Sequence, residues 1–169
     1  LDLEKGIELK KLTLGVIGTS KKPDERRVPI HPKHLPRIAE SVRRQLIFEK
    51  GYGIPFGIPD AEIESQTGGI ASRHEILADT DMVIASKPIL ADLEELREGG
   101  ILWGYVHCAQ QRAITQAAID RKLTLIAFED MFVWSPGGQV GRHTFYKNNE
   151  MAGYCAVLHA LQLKGIDGH

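Results

Sequence analysis

Asp81-Met82-Val83-Ile84-Ala85, followed by Ser86-Lys87-Pro88, is succeeded a short helical segment later by Ile101-Leu102-Trp103-Gly104-Tyr105. Both runs are short, apolar and rich in strand-forming residues, with turn formers at their borders, which is the pattern of buried strands. Between them, Asp92 to Arg97 reads as a short helix, and Gly99-Gly100 returns the chain to the second strand. Two strands separated by a helix pair in parallel, because a tight hairpin is not available to them.

The same alternation extends in both directions. Upstream, Leu12-Thr13-Leu14-Gly15-Val16-Ile17-Gly18 and Gln45-Leu46-Ile47-Phe48-Glu49 are strand runs; downstream, Leu123-Thr124-Leu125-Ile126-Ala127 is another. Pro32 suits the first turn of a helix continuing through Leu35, Ile38 and Val42. Gly51 to Gly69 is Gly- and Pro-rich and reads as loop with one short helix at Asp60 to Gln66. Ser72 caps a helix through Ile76 and Leu77. Gln110 to Arg121 places Ala113, Ile114, Ala117 and Ala118 on one helical face. Trp134-Ser135-Pro136-Gly137-Gly138 reads as a surface loop, and a last helix runs from near Asn149 to a stop at Gly165. The expected fold is α/β: a Rossmann-like, mostly parallel sheet with helices on both faces.

The chain of 169 residues is 43% hydrophobic and 25% charged, a globular balance that excludes a disordered or coiled-coil chain. Its net charge of -1 gives no general attraction to nucleic acid or an anionic membrane, so neither is expected as a partner. No apolar run reaches the roughly 18 residues of a membrane span. Cys108 and Cys155 are too few and too far apart for a disulfide framework, and read as reduced, mostly buried thiols of a cytoplasmic protein. The chain opens on Leu1 and closes on Gly165-Ile166-Asp167-Gly168-His169. Both ends look cut, and the chain reads as the first half of a larger enzyme.

In open α/β sheets, ligands bind outside the carboxyl ends of the strands. Three groups stand there: Arg27 in the loop after the first strand, Lys87 after Ala85, and His107 after Tyr105. Arg supplies a bidentate fork for a carboxylate, Lys a point charge, and His an acid/base near neutral pH. Together they suit a small anionic substrate that exchanges a proton. His31 and His34 have helical spacing but no third ligand in sequence, so no metal site is expected. The basic run Lys21, Lys22, Arg26 and Arg27 is broken by Asp24 and Glu25, and Arg26 reads as a solvated residue. Trp103 and Trp134 read as core or loop-anchoring residues.

The same residues carry a family resemblance. Lys22-Pro23-Asp24-Glu25-Arg26-Arg27-Val28-Pro29-Ile30-His31-Pro32 resembles the opening signature of alanine dehydrogenases, proton-translocating transhydrogenases and lysine-forming saccharopine dehydrogenases. Asp81 to Pro88 resembles their Lys-x-Lys-Glu-Pro strand, with Ala85 in place of the first Lys and no acidic residue before Pro88. Ile101 to His107, Ile126 to Glu129 and Asn149 to Gly153 resemble the three following blocks, in family order. Gly18 to Lys22 and Gly141 to Glu150 are most similar to the N5-(carboxyethyl)ornithine synthase branch.

The resemblance implies that Arg27 and Lys87 hold a 2-oxo-acid carboxylate and that His107 is the acid/base. It implies further that Arg142, His143 and Lys147 meet the amino-acid substrate's carboxylate and that Asn149 faces the cofactor, while Glu129 reads either as a cofactor-facing carboxylate or as packing at a strand end. The implied activity is NADP-dependent reductive condensation of pyruvate with the side-chain amine of ornithine. Alanine or saccharopine dehydrogenation, or a ligand-binding role without catalysis, are the alternatives. A homo-oligomer is implied as well. Residues 1–153 would form the substrate-binding catalytic domain, and residues 154–169 would begin a helix into a nucleotide-binding domain. No Gly-x-Gly-x-x-Gly follows any strand, and no acidic residue stands at the ribose-reading distance, so NADP is expected to bind mainly outside this chain.

Overall fold

The structure, a computed structural model, describes residues 12–166. The features noted at Leu1 and at Asp167-Gly168-His169 lie outside the described residues. The chain divides after Ala127 into two compact units.

In the first unit the apolar runs become six short strands: β1 (Leu14–Ile17), β2 (Leu46–Glu49), β3 (Gly69–Ala71), β4 (Met82–Ala85), β5 (Ile101–Gly104) and β6 (Thr124–Ala127). They form one sheet in the order β3-β2-β1-β4-β5-β6, with all neighbours parallel. This is the doubly wound order, in which the chain reverses direction between β1 and β4. Ile17, Val83 and Leu102 bury on one face, where Ile76 and Leu77 of α3 (Arg73–Asp79), Leu93 of α4 (Leu90–Glu95) and Ile114 of α5 (Arg112–Asp120) close a core. Val16, Phe48 and Ile84 point the other way and are also buried, so neither face carries the polar alternation of a solvated sheet. Gly15 permits the close approach of α3, since a Cβ there would lie 2.3 Å from the Ile76 side chain.

Local chemistry accounts for the helix ends. Ser72 caps α3 with a full capping box: its hydroxyl accepts from Glu75 N–H while the Glu75 carboxylate accepts from Ser72 N–H. The segment expected as one helix from Pro32 to Val42 is broken. A 3₁₀ helix spans Pro32–Arg37, Ile38 is extended, and α1 is a single turn at Glu40–Arg43. Pro36 lacks the N–H of an α-helical ladder and its ring crowds the preceding turn, so only the tighter 3₁₀ geometry is accommodated. Asp60–Gln66 is helical (α2) as expected, but the Gly- and Pro-rich stretch around it also yields a 3₁₀ turn at Ile54–Phe56 and the edge strand β3. The α4 helix begins two residues before the expected Asp92 and ends at Glu95.

The second unit holds a 3₁₀ turn (Phe128–Asp130), an antiparallel hairpin of β7 (Phe132–Trp134) and β8 (Val140–His143), and the long helix α6 (Tyr146–Leu163). Of the stretch Trp134 to Gly138, expected as surface loop, Trp134 ends β7 and the rest lies in the turn of that hairpin. Trp134 is exposed and not a core residue. Residue 153 falls within α6, whose Met151, Val157, Leu158 and Leu163 are exposed. Cys155 on this helix is exposed and Cys108 half-buried, so neither is the buried thiol expected. No helix among the described residues is long and apolar enough to cross a membrane.

Candidate active site

The β4–β5 register decides where Lys87 and His107 meet. Ile84 lies opposite Trp103, so Lys87, three residues on, and His107, four residues on, leave the sheet side by side. Tyr105 N–H donates to Ser86 O and carries the pairing one step past the strands. Gly104 makes the approach possible, because a Cβ there would stand 2.2 Å from Ala85 O. Beyond Gly104 the chain kinks, and His107 adopts φ +48°, a left-handed conformation that an L residue takes at a cost of roughly 1–2 kcal/mol. Gln110 and Gln111 N–H both donate to His107 O and hold the kink. The outcome is a 2.6 Å contact between Lys87 Nζ and His107 Nε2. At that separation one of the two nitrogens donates a hydrogen bond to the lone pair of the other.

Tyr105 organises the surroundings. Its ring stacks on His107 at 6.1 Å, and both the Arg27 guanidinium and Lys87 Nζ lie 5.7 Å from its centroid. Arg27 is oriented from behind by Glu25, whose Oε1 accepts from Arg27 N–H at 2.9 Å and from Nε at 2.8 Å, while Oε2 accepts from Nη2 at 2.5 Å. The guanidinium beside it holds the Glu25 carboxyl at about 2, well below its ordinary 4.5, and Glu25 in turn raises Arg27. The loop that carries Arg27 is pinned to the sheet by Tyr52, whose hydroxyl donates to Ile30 O and accepts from Ile30 N–H. Burial pushes the Tyr52 hydroxyl upward, so it stays protonated and keeps both bonds.

The crevice between the carboxyl ends of β1 and β4 is walled by Thr19, Ser20, Arg27, Lys87, Arg73 and Asp92 among others. The Arg73–Asp92 ion pair, with Arg73 Nη1 donating to Thr19 O and Oγ1, ties α3 and α4 to the β1 turn. These side chains fill the crevice to about 10 Å³, room for about one water. A 2-oxo acid therefore meets Arg27, Lys87 and His107 at the crevice mouth or displaces a wall.

Of the residues singled out in the sequence, Arg27, Lys87 and His107 are brought together in the first unit. Glu129, Arg142, Lys147 and Asn149 lie in the second. There, the Arg142 guanidinium stacks 3.8 Å over Tyr146, and Lys147 pairs with Glu150 at 2.7 Å. Glu129 is half-buried in the 3₁₀ turn, and Asn149 is exposed in the first turn of α6. His143 accepts from Phe145 N–H through Nδ1, so its Nε2 carries the proton and donates to Phe128 O. His31 caps the 3₁₀ helix by accepting from Lys33 N–H and packs on Phe56.

Tyr52 and Tyr105 had no assigned role in the sequence, and Glu25 stood in the Lys22 to Pro32 signature without one.

A nicotinamide dinucleotide does not fit the β1 turn. Glu49 at the carboxyl end of β2, the place from which a dinucleotide fold reads a ribose, accepts at 2.8 Å from both Gly18 and Thr19 N–H and at 2.6 Å from Thr19 Oγ1. Glu49 stands about thirty residues after Gly18, farther than the ribose-reading spacing of about 20 residues. It occupies the backbone donors that a pyrophosphate would need. The next helical turn in the chain begins only at Pro32, so β1 does not run directly into a helix whose N-terminus would take a pyrophosphate.

The chain is thus an α/β domain with a doubly wound sheet that presents an Arg and a Lys–His pair at its carboxyl edge. Residues 16–139 match the family of the alanine dehydrogenase/PNT N-terminal domain, and the chain belongs to it. It is 28% identical over 155 residues to an N(5)-(carboxyethyl)ornithine synthase of Lactococcus lactis subsp. lactis, covering 85% of this chain and 48% of the relative. It is 34% identical over 126 residues to an alanine dehydrogenase of Mycobacterium tuberculosis (strain CDC 1551 / Oshkosh), covering 72% and 33%. Among solved structures, an L-alanine dehydrogenase superposes with a TM-score of 0.61 at 25% identity, over 76% of this chain and 35% of that one. The chain spans about half the length of the synthase it matches, and a third of the alanine dehydrogenase.

Proposed function

We propose that this chain is the substrate-binding, catalytic part of an NADP-dependent oxidoreductase acting on a CH–NH bond, which condenses pyruvate with the side-chain amine of L-ornithine to N5-(1-carboxyethyl)-L-ornithine. The observation that carries the reading is the 2.6 Å Lys87–His107 contact beside Arg27 at one sheet edge. A carboxylate between Arg27 and Lys87 leaves the neighbouring carbonyl oxygen beside His107. Imine formation needs a proton delivered to a departing hydroxyl, and His107, in hydrogen-bond contact with Lys87 at that edge, is suited to deliver it. Arg27 and Lys87 fix the oxo acid while the amine attacks. Arg142 and Lys147 are proposed to meet the amino-acid substrate, and Glu129 and Asn149 to face the cofactor. NADP belongs to the whole enzyme and, on this reading, binds mainly outside residues 1–169. A cytoplasmic homo-oligomer is part of the same proposal.

The reading favours the synthase over an alanine dehydrogenase because the relatives of that name match over a longer share of the chain. The test is a product assay of the enzyme carrying this chain, supplied with pyruvate, NADPH and either ornithine, lysine or ammonia. Carboxyethylornithine by mass spectrometry supports the reading, whereas product from ammonia alone makes the enzyme an alanine dehydrogenase.

A further inference from the structure

The turn after β1 separates two pockets, and only one belongs to the site above. Gly18 and Thr19 line both. The adjacent arginines of the following loop divide between them, with Arg27 lining the β1–β4 crevice and Arg26 the pocket at the carboxyl ends of β1 and β2. This second pocket holds about 320 Å³, at the small end of ordinary small-molecule sites. Tyr52 and Phe56 contribute apolar ring surface to it. Arg26 and Lys50 stand exposed on its lining, and neither has an ion-pair partner among the described residues.

Glu49 also lines the pocket and is 6% exposed. Its Oε2 accepts two N–H bonds and its Oε1 accepts one hydroxyl. A carboxylate has about four acceptor positions, so one remains on Oε1. The pocket thus offers two cations, one buried carboxylate with an acceptor position left, and an aromatic wall. That pattern complements a zwitterion bearing an apolar chain, and no simple anion or cation matches it as well.

We propose that the β1–β2 pocket is a subsite for the head group of an α-amino acid: carboxylate to Arg26 and Lys50, ammonium to Glu49 Oε1, aliphatic chain along Tyr52 and Phe56. The role in catalysis rests on the function proposed above, with this pocket, in place of Arg142 and Lys147, taking the amino acid's head group; an amine substrate held there would approach across the β1 turn from the side opposite the oxo acid.

The experiment is amide NMR of the 169-residue chain titrated with L-norvaline, with pentanoate lacking the ammonium and butylamine lacking the carboxylate. Saturable shifts at Gly18, Thr19 and Gly51 are expected with norvaline, and about tenfold weaker binding of either fragment. Arg26→Gln combined with Lys50→Gln, both exposed and outside the core, should weaken norvaline by about tenfold or more. Pentanoate binding as tightly as norvaline, an unaffected double variant, or no saturable shift would overturn the subsite. Turnover of pyruvate with ornithine alongside silent amides at Gly18, Thr19 and Gly51 overturns the subsite and leaves the proposed function standing. Norvaline shifts at these amides with no turnover uphold the subsite and count against the function.

Discussion

Replacing Glu25 by Gln removes a charge while keeping an oxygen that can still accept from Arg27 N–H. In the structure Glu25 is 6% exposed and Arg27 46%, and three hydrogen bonds join them. A carboxyl lowered from 4.5 to about 2 sets a ceiling of about 3 kcal/mol on what the folded state gains from its ionisation. Water screens the pair from the exposed Arg27 side, and residues two apart in sequence keep part of their attraction when unfolded, so about 1 kcal/mol is the expected loss. Because the folded value lies below the unfolded one, that stability is fully present above 4.5 and disappears as pH falls toward about 2. Urea unfolding near pH 7 should therefore show the variant's midpoint lowered by about half a molar. By about pH 3 more than half of the difference should have gone. A deficit of equal size at both pH values would refute the electrostatic account and leave only a packing effect.

Arg27→Lys should weaken pyruvate binding at least about tenfold, because an ammonium cannot form the bidentate fork and losing one charged hydrogen bond costs about 1.5–3 kcal/mol; calorimetry that shows unchanged affinity removes Arg27 from the site. His107→Ala in the complete enzyme should lower turnover by roughly 10²- to 10⁴-fold with the fold intact, and a variant keeping above about a tenth of the rate would place the proton transfer elsewhere. Gly104→Ala forces a Cβ to within 2.2 Å of Ala85 O and 3.1 Å of Pro88 Cδ, so thermal unfolding should show a loss of about 1–3 kcal/mol; a neutral result means β4 and β5 can separate. NADPH should bind the 169-residue chain more weakly than about 10 μM by calorimetry, since Glu49 occupies the β1-turn donors, and tighter binding would reveal a nucleotide site elsewhere on it.

Five of the six parallel strands were legible in the sequence because each is a short apolar run, rich in strand-forming residues, between turn formers. Ser72 with Glu75 announced a helix start for the same local reason. The short strands β3, β7 and β8 were not legible, since each exists only through its neighbour: β3 extends an edge next to β2, and β7 and β8 hold each other. The break at Ile38 followed from Pro36, whose effect depends on how much ladder lies before it.

Arg27, Lys87 and His107 could be chosen from sequence because polar groups following parallel strands share one sheet edge. What joins Lys87 to His107 is the pairing of Ile84 with Trp103 and the Cβ-less approach at Gly104. A shift of one residue in that register would send the two side chains to opposite faces. Glu49 shows the same limit most clearly. Its position at a strand end was visible, but its partners, Gly18 and Thr19, lie about thirty residues away and become neighbours only when β1 and β2 pair. Apolar periodicity is a property of adjacent residues and survives in the string; a carboxylate's partners are a property of strand order, which only the folded chain decides.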